Sequence, residues 1–188
     1  MDNTHGLKEE ERKELLEIID SRCLKFGKFD LASGGSSNFF FDMKKATLDP
    51  KASKLITKAI LELLSRENVR YVGGLETGAI PIVSELCVQS SPERPIFGFF
   101  VRQKENNRNP KIEGNLERGE KVIIVDDVTT NGGSALNAVK AVRDFGCEVE
   151  KVITIVDRLS KAKENLKENN IELISIFTKD DFGRIPKE

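Results

Sequence analysis

The stretch Lys121–Val142, KVIIVDDVTTNGGSALNAVKAV, decides the fold of this chain. Its run of β-branched residues, Val122–Val125, predicts a strand that is buried on both faces. The apolar spacing of Ser134–Val142 predicts a helix that starts directly after a loop of small residues. A strand, a Gly-containing loop and a helix N-terminus together form an anion site, because the first N–H groups of a helix have no acceptor within it.

The side chains around this loop indicate what kind of anion it binds. Gly132 and Gly133 let the backbone approach a ligand closely. The adjacent acids Asp126 and Asp127 would repel a bare phosphate, but carboxylates accept hydrogen bonds from hydroxyl groups. A sugar phosphate is the simplest ligand with both features, and the alternative is a buried strand followed by a Gly-rich connection. No Lys follows the glycines, so the stretch is not a P-loop. Further donors are the hydroxyls of Thr129, Thr130 and Ser134.

Predicted strands and helices alternate along most of the chain. This alternation predicts an α/β fold with a mainly parallel central sheet and helices on both faces. Ligands of such folds lie beyond the carboxyl ends of the strands, where the loop of residues 129–134 lies. No linker divides the chain, so we expect a single domain. The predicted elements are helix Leu7–Phe26, a hairpin over residues 25–42 around a Gly34-Gly35 turn, helix Pro50–Arg66 capped by Asp49, strand Arg70–Gly74, helix Ala79–Gln89, strand Pro95–Val101, strand Val122–Val125, helix Ser134–Phe145, strand Val149–Val156, helix Ser160–Asn169 and strand Ile171–Phe177.

Composition bounds the class of protein. Of the 188 residues, 38% are hydrophobic and 32% are charged, and the net charge is −1. These fractions are typical of a soluble globular domain. A net charge near zero provides no overall positive potential to attract nucleic acid. We expect no membrane span and a cytoplasmic location, with reduced thiols at Cys23, Cys87 and Cys147. His5, the single histidine, lies in a terminus that we expect to fray, so we expect no histidine base.

Two more segments are candidates for the same edge of the sheet. Tyr71–Ala79, YVGGLETGA, forms either a second anion-binding turn or an ordinary tight connection between a strand and a helix. Arg102–Arg118 has no apolar periodicity and is long for such a connection, so we interpret it as a mobile lid or a surface loop.

The segment VIIVDDVTTNGGS resembles the phosphoribosyl pyrophosphate (PRPP) motif of the type I phosphoribosyltransferases. The resemblance implies that the two acids bind the ribose 2′- and 3′-hydroxyls, that the following loop binds the 5′-phosphate, and that the turn near Glu76 contacts the pyrophosphate. The implied PRPP-binding residues are Glu76, Thr77, Gly78, Arg102, Asp126, Asp127, Val128, Thr129, Thr130, Asn131, Gly132, Gly133 and Ser134. Cations that could neutralise a departing pyrophosphate are Arg102, Lys104, Arg108 and Lys111.

Three further segments resemble the orotate phosphoribosyltransferases within that family. They are Leu24–Asp42, LKFGKFDLASGGSSNFFFD; Ile155–Arg158, IVDR; and Ile171–Phe182, IELISIFTKDDF. Orotate carries a carboxylate and ring carbonyls, so its pocket requires cations and backbone donors. We prefer core burial for the side chains of Phe39 and Phe41. The resemblance nevertheless implies orotate contacts for Lys25, Phe40, Phe41, Thr130 and Arg158.

The resemblance also implies an architecture and a reaction. We expect a type I phosphoribosyltransferase fold, with a small N-terminal hood of one helix and a β-hairpin over residues 1–45 and a PRPP-binding core over residues 46–188. Orotate and PRPP would give orotidine 5′-monophosphate and diphosphate in pyrimidine synthesis, with Mg²⁺ carried by PRPP rather than held by the protein. A homodimer that shares the loop 102–118 is implied, with no nucleic-acid or membrane partner. The residues expected to carry catalysis are Arg102, Lys104, Asp126 and Asp127.

The chain also departs from the family pattern. Gly35 stands where orotate enzymes usually have a basic residue, Gln103 follows Arg102, and NNRNP at residues 106–110 replaces the usual Lys and His of the mobile loop. Two alternatives therefore stay open: a phosphoribosyltransferase that uses another base, and a PRPP-binding regulator without catalytic activity.

Overall fold

The computed structural model describes residues 5–30, 36–104 and 111–186 of the chain. Strands and helices alternate within them. The strands are β1 (Leu24–Asp30), β2 (Ser36–Phe41), β3 (Tyr71–Gly73), β4 (Phe97–Val101), β5 (Ile112–Gly114), β6 (Lys121–Thr129), β7 (Glu148–Asp157) and β8 (Glu172–Thr178). The helices are α1 (Glu9–Ile18), α2 (Lys44–Thr47), α3 (Pro50–Ser65), α4 (Ala79–Gln89), α5 (Gly133–Asp144) and α6 (Ala162–Glu168).

The central sheet has the strand order β5-β4-β3-β6-β7-β8. All neighbouring strands are parallel except β4 and β5, which are antiparallel. β1 and β2 form a separate antiparallel hairpin next to α1 in the chain. The predicted fold class, a mainly parallel sheet flanked by helices with a helix and hairpin at the N-terminus, is therefore confirmed.

Strand β6 is buried on both faces, as its β-branched run predicts. Ile123 and Val125 belong to an apolar cluster with residues of α3 and α4, whereas Val122 and Ile124 belong to a second cluster with residues of α5 and α6. Because successive side chains of a strand point to opposite faces, the two clusters lie on opposite sides of the sheet. Their burial fixes the position of the residues that follow Val125.

The N-terminal helix and the hairpin pack onto the first of these clusters. Leu15, Ile19 and Phe41 are buried there together with Ile56 and Ile60 of α3. Apolar burial of this kind stabilises by roughly 25 cal/mol per Å² removed from water. The division into a hood over residues 1–45 and a core over residues 46–188 stays a prediction.

The predicted helix Leu7–Phe26 is wrong at its C-terminal end. The α-helix ends at Ile18, a π-helical turn follows over Ile19–Cys23, and β1 starts at Leu24. Cross-strand pairing overrides helix periodicity there, because Leu24 pairs with Phe41 and Phe26 with Phe39. Phe26 is 46% exposed and does not lie on a buried helix face. The Gly34-Gly35 turn lies outside the described residues.

Three other expectations need correction. Strand β6 continues beyond Val125 to Thr129, because it pairs with β7 as far as Thr129 opposite Asp157. The segment 102–118 contains the short strand β5, paired with β4. His5 is not frayed: it is half-buried, and its Nε2 lies 3.1 Å from the carbonyl oxygen of Ser175.

Most other boundaries agree with the predictions to within two residues. Asp49 caps α3 as predicted, since its Oδ1 accepts hydrogen bonds from the N–H groups of Lys51 at 3.0 Å and Ala52 at 2.9 Å. The three cysteines are free thiols, and burial raises the pKa of Cys23 to about 11. Within the described ranges, no helix has the length and apolar character needed to cross a membrane.

Candidate active site

A cleft of about 550 Å³ lies at the carboxyl edge of the sheet, between the hairpin and the segments that follow β3 and β6. Most of the residues predicted to bind PRPP meet there, although they come from segments that are distant in sequence. The lining residues are Phe40, Phe41, Lys44, Leu75, Glu76, Thr77, Gly78, Gln103, Asp126, Asp127, Val128, Thr129, Thr130, Asn131, Gly132, Gly133, Ser134, Asn137 and Arg158.

The two adjacent acids lie at the centre of this cleft. Asp126 is 6% exposed, and its Oδ1 accepts a hydrogen bond from the N–H of Asp127 at 3.0 Å. Burial and the neighbouring Asp127 carboxylate raise the pKa of Asp126 well above its ordinary value. Burial also raises the pKa of Asp127, although the positive charge of Lys44 opposes this. Buried acids with raised pKa values in a cleft are typical of functional sites, where ligand donors stabilise their charge.

In the loop after β6, three consecutive backbone carbonyl groups accept hydrogen bonds from the segment that follows β7. The carbonyl of Thr129 accepts from the N–H of Arg158 at 3.0 Å, and that of Thr130 from the N–H of Ala162 at 3.1 Å. The carbonyl of Asn131 accepts from Nδ2 of Asn165 at 2.9 Å. With these oxygens engaged by the segment after β7, the loop presents N–H groups to the cleft.

The start of α5 supplies the donors. Within the described residues, no protein acceptor is bonded to the N–H groups of residues 131–135, and no side chain caps the helix. Gly132 has φ 75°, in the left-handed region that favours glycine. Free N–H groups at a helix N-terminus bind phosphate groups well, because the helix dipole adds to their partial charges. The hydroxyl of Thr129 is directed elsewhere: it is 3.4 Å from Asp157 Oδ1, to which it donates.

The turn after β3 forms the opposite wall of the cleft. The N–H of Glu76 donates to the carbonyl of Val101 at 2.9 Å, and the N–H of Val101 donates to that of Gly74 at 2.8 Å, so the turn is fastened to β4. A Cβ at Gly78 would lie 2.7 Å from Asp127 Oδ1. The acid pair therefore packs directly against the backbone of this turn.

Arg102 does not line the cleft, although it is a predicted PRPP contact. Its Nε pairs with Glu113 of β5, and its Nη1 lies 3.3 Å from Glu76 Oε2. Glu76 Oε1 also accepts from the N–H of Gln103 at 3.0 Å. The guanidinium thus joins the turn after β3 to the β4–β5 hairpin.

The other predicted cations of this segment are also outside the cleft. Lys104 is exposed and is not a lining residue. Lys111 Nζ donates to the carbonyl of Gln103 at 3.2 Å. Arg108 lies outside the described residues, so its predicted role stays a prediction.

Arg158 closes the cleft from the end of β7. The residue is 7% exposed, its Nη2 donates to Ser37 Oγ at 2.6 Å, and its guanidinium lies 4.3 Å from the centre of the Phe39 ring. Its Nε is buried without an acceptor, and in the described part of the chain no carboxylate forms an ion pair with it. Burial lowers the pKa of the guanidinium. An anionic group or a carbonyl oxygen in the cleft would stabilise a buried cation of this kind.

The aromatic residues of β2 divide between core and cleft. Phe41 is 4% exposed and Phe39 packs against the same apolar cluster, in agreement with the core burial that the sequence favours. Phe40 is 38% exposed and lines the cleft. Lys25, predicted to bind orotate, pairs instead with Asp42 at 3.0 Å, and it is not among the lining residues.

The sequence analysis did not identify four lining residues. Leu75 precedes the predicted contacts of the turn after β3, and Gln103 was noted only as a departure from the family pattern. Lys44 lies on α2, whose sequence contains no ligand-binding motif, and Asn137 lies on α5 beyond the end of the PRPP motif. The one signal for Lys44 is its position directly after the hairpin. The residues are Lys44, Leu75, Gln103 and Asn137.

A mainly parallel sheet with a candidate anion-binding loop and an acid pair at its carboxyl edge is the arrangement of the phosphoribosyltransferases. The family model "Phosphoribosyl transferase domain" matches residues 45–180 of the chain. This range contains the acid pair, both candidate anion-binding turns and Arg158.

Individual relatives narrow the class. The chain is 42% identical over 170 residues to the orotate phosphoribosyltransferase of Methanocaldococcus jannaschii, which covers 90% of this chain and 95% of the relative. It is 38% identical over 178 residues to that of Rhodopseudomonas palustris, covering 91% and 95%. The crystal structure of Mycobacterium tuberculosis orotate phosphoribosyltransferase in complex with PRPP is similar, with a TM-score of 0.77, 32% identity and 96% of each chain covered. The chain belongs to the orotate phosphoribosyltransferase family.

Proposed function

We propose that this protein transfers the 5-phosphoribosyl group of PRPP to N1 of orotate, releasing diphosphate and forming orotidine 5′-monophosphate for pyrimidine synthesis. The proposal assigns the three regions of the cleft to three parts of the substrates. The loop 129–134 holds the 5′-phosphate, the acid pair holds the ribose hydroxyls, and the turn 76–78 contacts the pyrophosphate.

The observation that carries the choice of orotate is the buried cation at the end of β7. Arg158 lines the cleft and has no carboxylate partner of its own in the described parts of the protein. A planar guanidinium binds a carboxylate or a ring carbonyl through paired hydrogen bonds. Phe40, which is partly exposed beside it in the lining, offers an apolar surface to a planar base. Orotate is planar and carries both kinds of acceptor.

The proposed reaction needs no protein nucleophile. The bond between C1′ and the pyrophosphate oxygen breaks, the bond between C1′ and N1 of orotate forms on the opposite face, and the N1 proton is released. Positive charge develops on the ribose as the leaving group departs, and the carboxylates of Asp126 and Asp127 stabilise it from the hydroxyl side. Much of the acceleration comes from holding the two reactants in one orientation.

Mg²⁺ is proposed to enter with PRPP. Groups of three or more side chains able to hold a metal ion are absent from the described residues. Mg²⁺ keeps several water ligands and is commonly bound through substrate phosphates with few protein carboxylates. The carboxylates available to it in the cleft are Asp126, Asp127 and Glu76. When bound, the ion supplies positive charge to the leaving pyrophosphate.

Assembly and location follow the same proposal. We propose a homodimer in which the segment 102–118 of one subunit reaches the cleft of the other, and a cytoplasmic location. The positions of Arg102 and Lys104 outside the cleft of their own chain are consistent with such an arrangement. Sedimentation velocity would test the dimer. A mixture of an Arg102→Ala subunit with an Asp126→Asn subunit would test sharing, since complementing clefts restore activity only if the segment crosses over.

A second candidate function is PRPP binding without transfer to orotate. One observation favours it: the guanidinium of Arg102 is paired with Glu76 and Glu113 and is not directed into the cleft. The test is the loss of orotate absorbance with purified protein, PRPP and Mg²⁺. PRPP-dependent loss supports the transferase. Calorimetric binding of PRPP without any loss of orotate would favour the regulator or another base.

Substitution of Arg158 tests the acceptor base directly. We expect Arg158→Leu to raise KM for orotate by roughly 10- to 150-fold, since a hydrogen-bonded pair with a charged group contributes about 1.5–3 kcal/mol. Binding of PRPP alone, followed by calorimetry, should change little, because the guanidinium is directed to Ser37 of the hairpin and the backbone N–H that bonds Thr129 is kept in the variant.

The matched control is Arg143→Leu, which removes a cation that bonds only to backbone carbonyls of Asn169 and Val149. It should leave the KM for orotate unchanged. An unchanged orotate KM in Arg158→Leu, with the fold intact, would contradict the assignment of orotate to this end of the cleft.

A further inference from the structure

Lys44 is a cation of the cleft that none of the predicted contacts includes. It is the first residue of the short helix α2, directly after the hairpin. The helix is firmly seated: Met43 and Ala46 are fully buried, and the N–H of Thr47 donates to the carbonyl of Met43 at 2.8 Å. Lys44 itself is exposed and lines the cleft. Its position is therefore set by the fold while its ammonium group remains accessible.

Lys44 lies close to the acid pair in the lining of the cleft. Its positive charge opposes the rise in the pKa of Asp127 that burial causes. Asp127 in turn lies against Gly78 of the turn after β3. Lys44 and the turn 76–78 therefore both adjoin Asp127.

The charge balance of the cleft favours such a group, in addition to the Mg²⁺ proposed to enter with PRPP. Its lining contains the carboxylates of Asp126, Asp127 and Glu76, and its only lining cations among the described residues are Lys44 and Arg158. Arg158 is held at the hairpin by Ser37. Pyrophosphate beside three carboxylates is strongly repelled unless a cation lies between them.

The ammonium group of Lys44 is available for this purpose. In the described part of the structure, the side chain of Lys44 makes no hydrogen bond and no ion pair, and only its backbone carbonyl is engaged, by the N–H of Leu48. Arg102, by contrast, pairs with both Glu76 and Glu113. An unpaired Lys at the rim of a cleft can bind a phosphate oxygen without first breaking another contact.

We propose that Lys44 binds the pyrophosphate group of PRPP, and that α2 thereby couples the hairpin to the leaving group. This assignment rests on the proposed function for the identity of the ligand, but it requires only PRPP binding and not orotate as acceptor. Its consequence is that a residue next to the base-binding hairpin contributes to PRPP affinity.

The test compares two neighbouring lysines of one helix. Lys44→Met should weaken binding of PRPP, measured by calorimetry with Mg²⁺ and no orotate, by roughly 10- to 100-fold, as expected for a lost charge-assisted hydrogen bond. Lys44→Arg should recover most of the affinity. Lys45→Met removes the same charge from the next residue. The charge of Lys45 lowers the pKa of Cys23, and Lys45 is not a lining residue of the cleft. This control variant should leave PRPP binding unchanged.

Two fragments of the substrate locate the contact. Lys44→Met should weaken binding of inorganic pyrophosphate and leave binding of ribose 5-phosphate unchanged. Weaker ribose 5-phosphate binding alone, or no change with either fragment, would overturn the assignment. If the wild-type protein binds PRPP but does not consume orotate, the proposed acceptor fails while the lysine comparison still decides the role of Lys44. If the wild-type protein binds neither PRPP nor pyrophosphate, both proposals fail.

Discussion

The two ends of the cleft present charged and polar groups of different kinds. At the end formed by β6 and α5, the loop 129–134 offers backbone N–H groups, and its carbonyl groups are fastened to the segment after β7. At the other end, the charges belong to the side chains of Lys44 and Glu76, with Arg102 behind Glu76 and outside the lining. Arg102 and Glu76 are bonded to each other and to the β4–β5 hairpin.

This difference matches what each end is proposed to do. The 5′-phosphate stays bound throughout the reaction, so donors fixed by the backbone lose little entropy when they bind it. The pyrophosphate must arrive, develop charge and leave, which suits side chains that can exchange partners. A rigid end and an exchangeable end in one cleft would hold the sugar while its leaving group changes.

The acid pair between the two ends should give the largest effect on substitution. We expect Asp126→Asn to lower kcat/KM for PRPP by at least about 100-fold, because it loses a charge-assisted hydrogen bond and a charge that stabilises the transition state. The same substitution should raise the melting temperature at neutral pH, because the buried carboxylate is costly without its ligand. Steady-state kinetics and thermal unfolding measure the two effects on one sample.

The pH dependence of this stability gain has a definite sign. The pKa of Asp126 is raised in the folded protein above its unfolded value of about 3.9. Between these two pKa values the folded state binds more protons than the unfolded state, so the free energy of unfolding falls as pH rises through that window. Asp126→Asn removes the contribution of the Asp126 carboxyl to this pH-dependent loss of stability. Its advantage should be greatest above the folded pKa and disappear in acid, and an advantage independent of pH would contradict the burial argument.

The rigid end is tested by a pair of adjacent glycines. Gly132 has φ 75°, whereas Gly133 has an ordinary φ and no atom within 4 Å of a Cβ placed on it. Gly132→Ala should lower the free energy of unfolding by about 1–2 kcal/mol and, since the loop shifts, raise KM for PRPP by roughly tenfold. Gly133→Ala is the control for side-chain volume.

Gly133→Ala should retain stability within about 0.5 kcal/mol of the wild type. Chemical denaturation and PRPP kinetics measure both variants. Equal effects of the two substitutions would show that the loop does not depend on the left-handed conformation at Gly132, and the contrast between a rigid and an exchangeable end would lose its structural basis.

The rigid end is also the part of the site that the sequence predicts well. The run of β-branched residues, the acid pair and the small-residue loop are contiguous, so local pattern is sufficient to place them at one edge of the sheet. What local pattern could not give was the end of β6. Its pairing with β7 continues as far as Thr129 opposite Asp157, which places the acids within the strand rather than after it.

The exchangeable end was predicted less well for a physical reason. Its groups come from residues far apart in sequence, and their partners are set by tertiary pairing: β5 brings Glu113 to Arg102, and the hairpin brings Lys44 to the acid pair. The same applies to Lys25, which pairs with Asp42 across the hairpin. Charge type alone indicated cations near the pyrophosphate, but it could not indicate which of them the fold neutralises.

Removing one acidic partner of Arg102 should have the smallest effect on KM for PRPP of the substitutions considered. It is also the sharpest test of whether the side chains at this end of the cleft exchange partners. In Glu113→Gln the guanidinium keeps only Glu76, so it exchanges more readily with pyrophosphate, and we expect KM for PRPP to fall by about two- to fivefold. The shift is small because partly exposed ion pairs contribute little. Glu62→Gln is the control, since it removes the partner of Arg66 on the exposed face of α3. A rise in KM in Glu113→Gln would instead mean that the two acids hold Arg102 in its binding position, and that this end of the cleft is also preorganised.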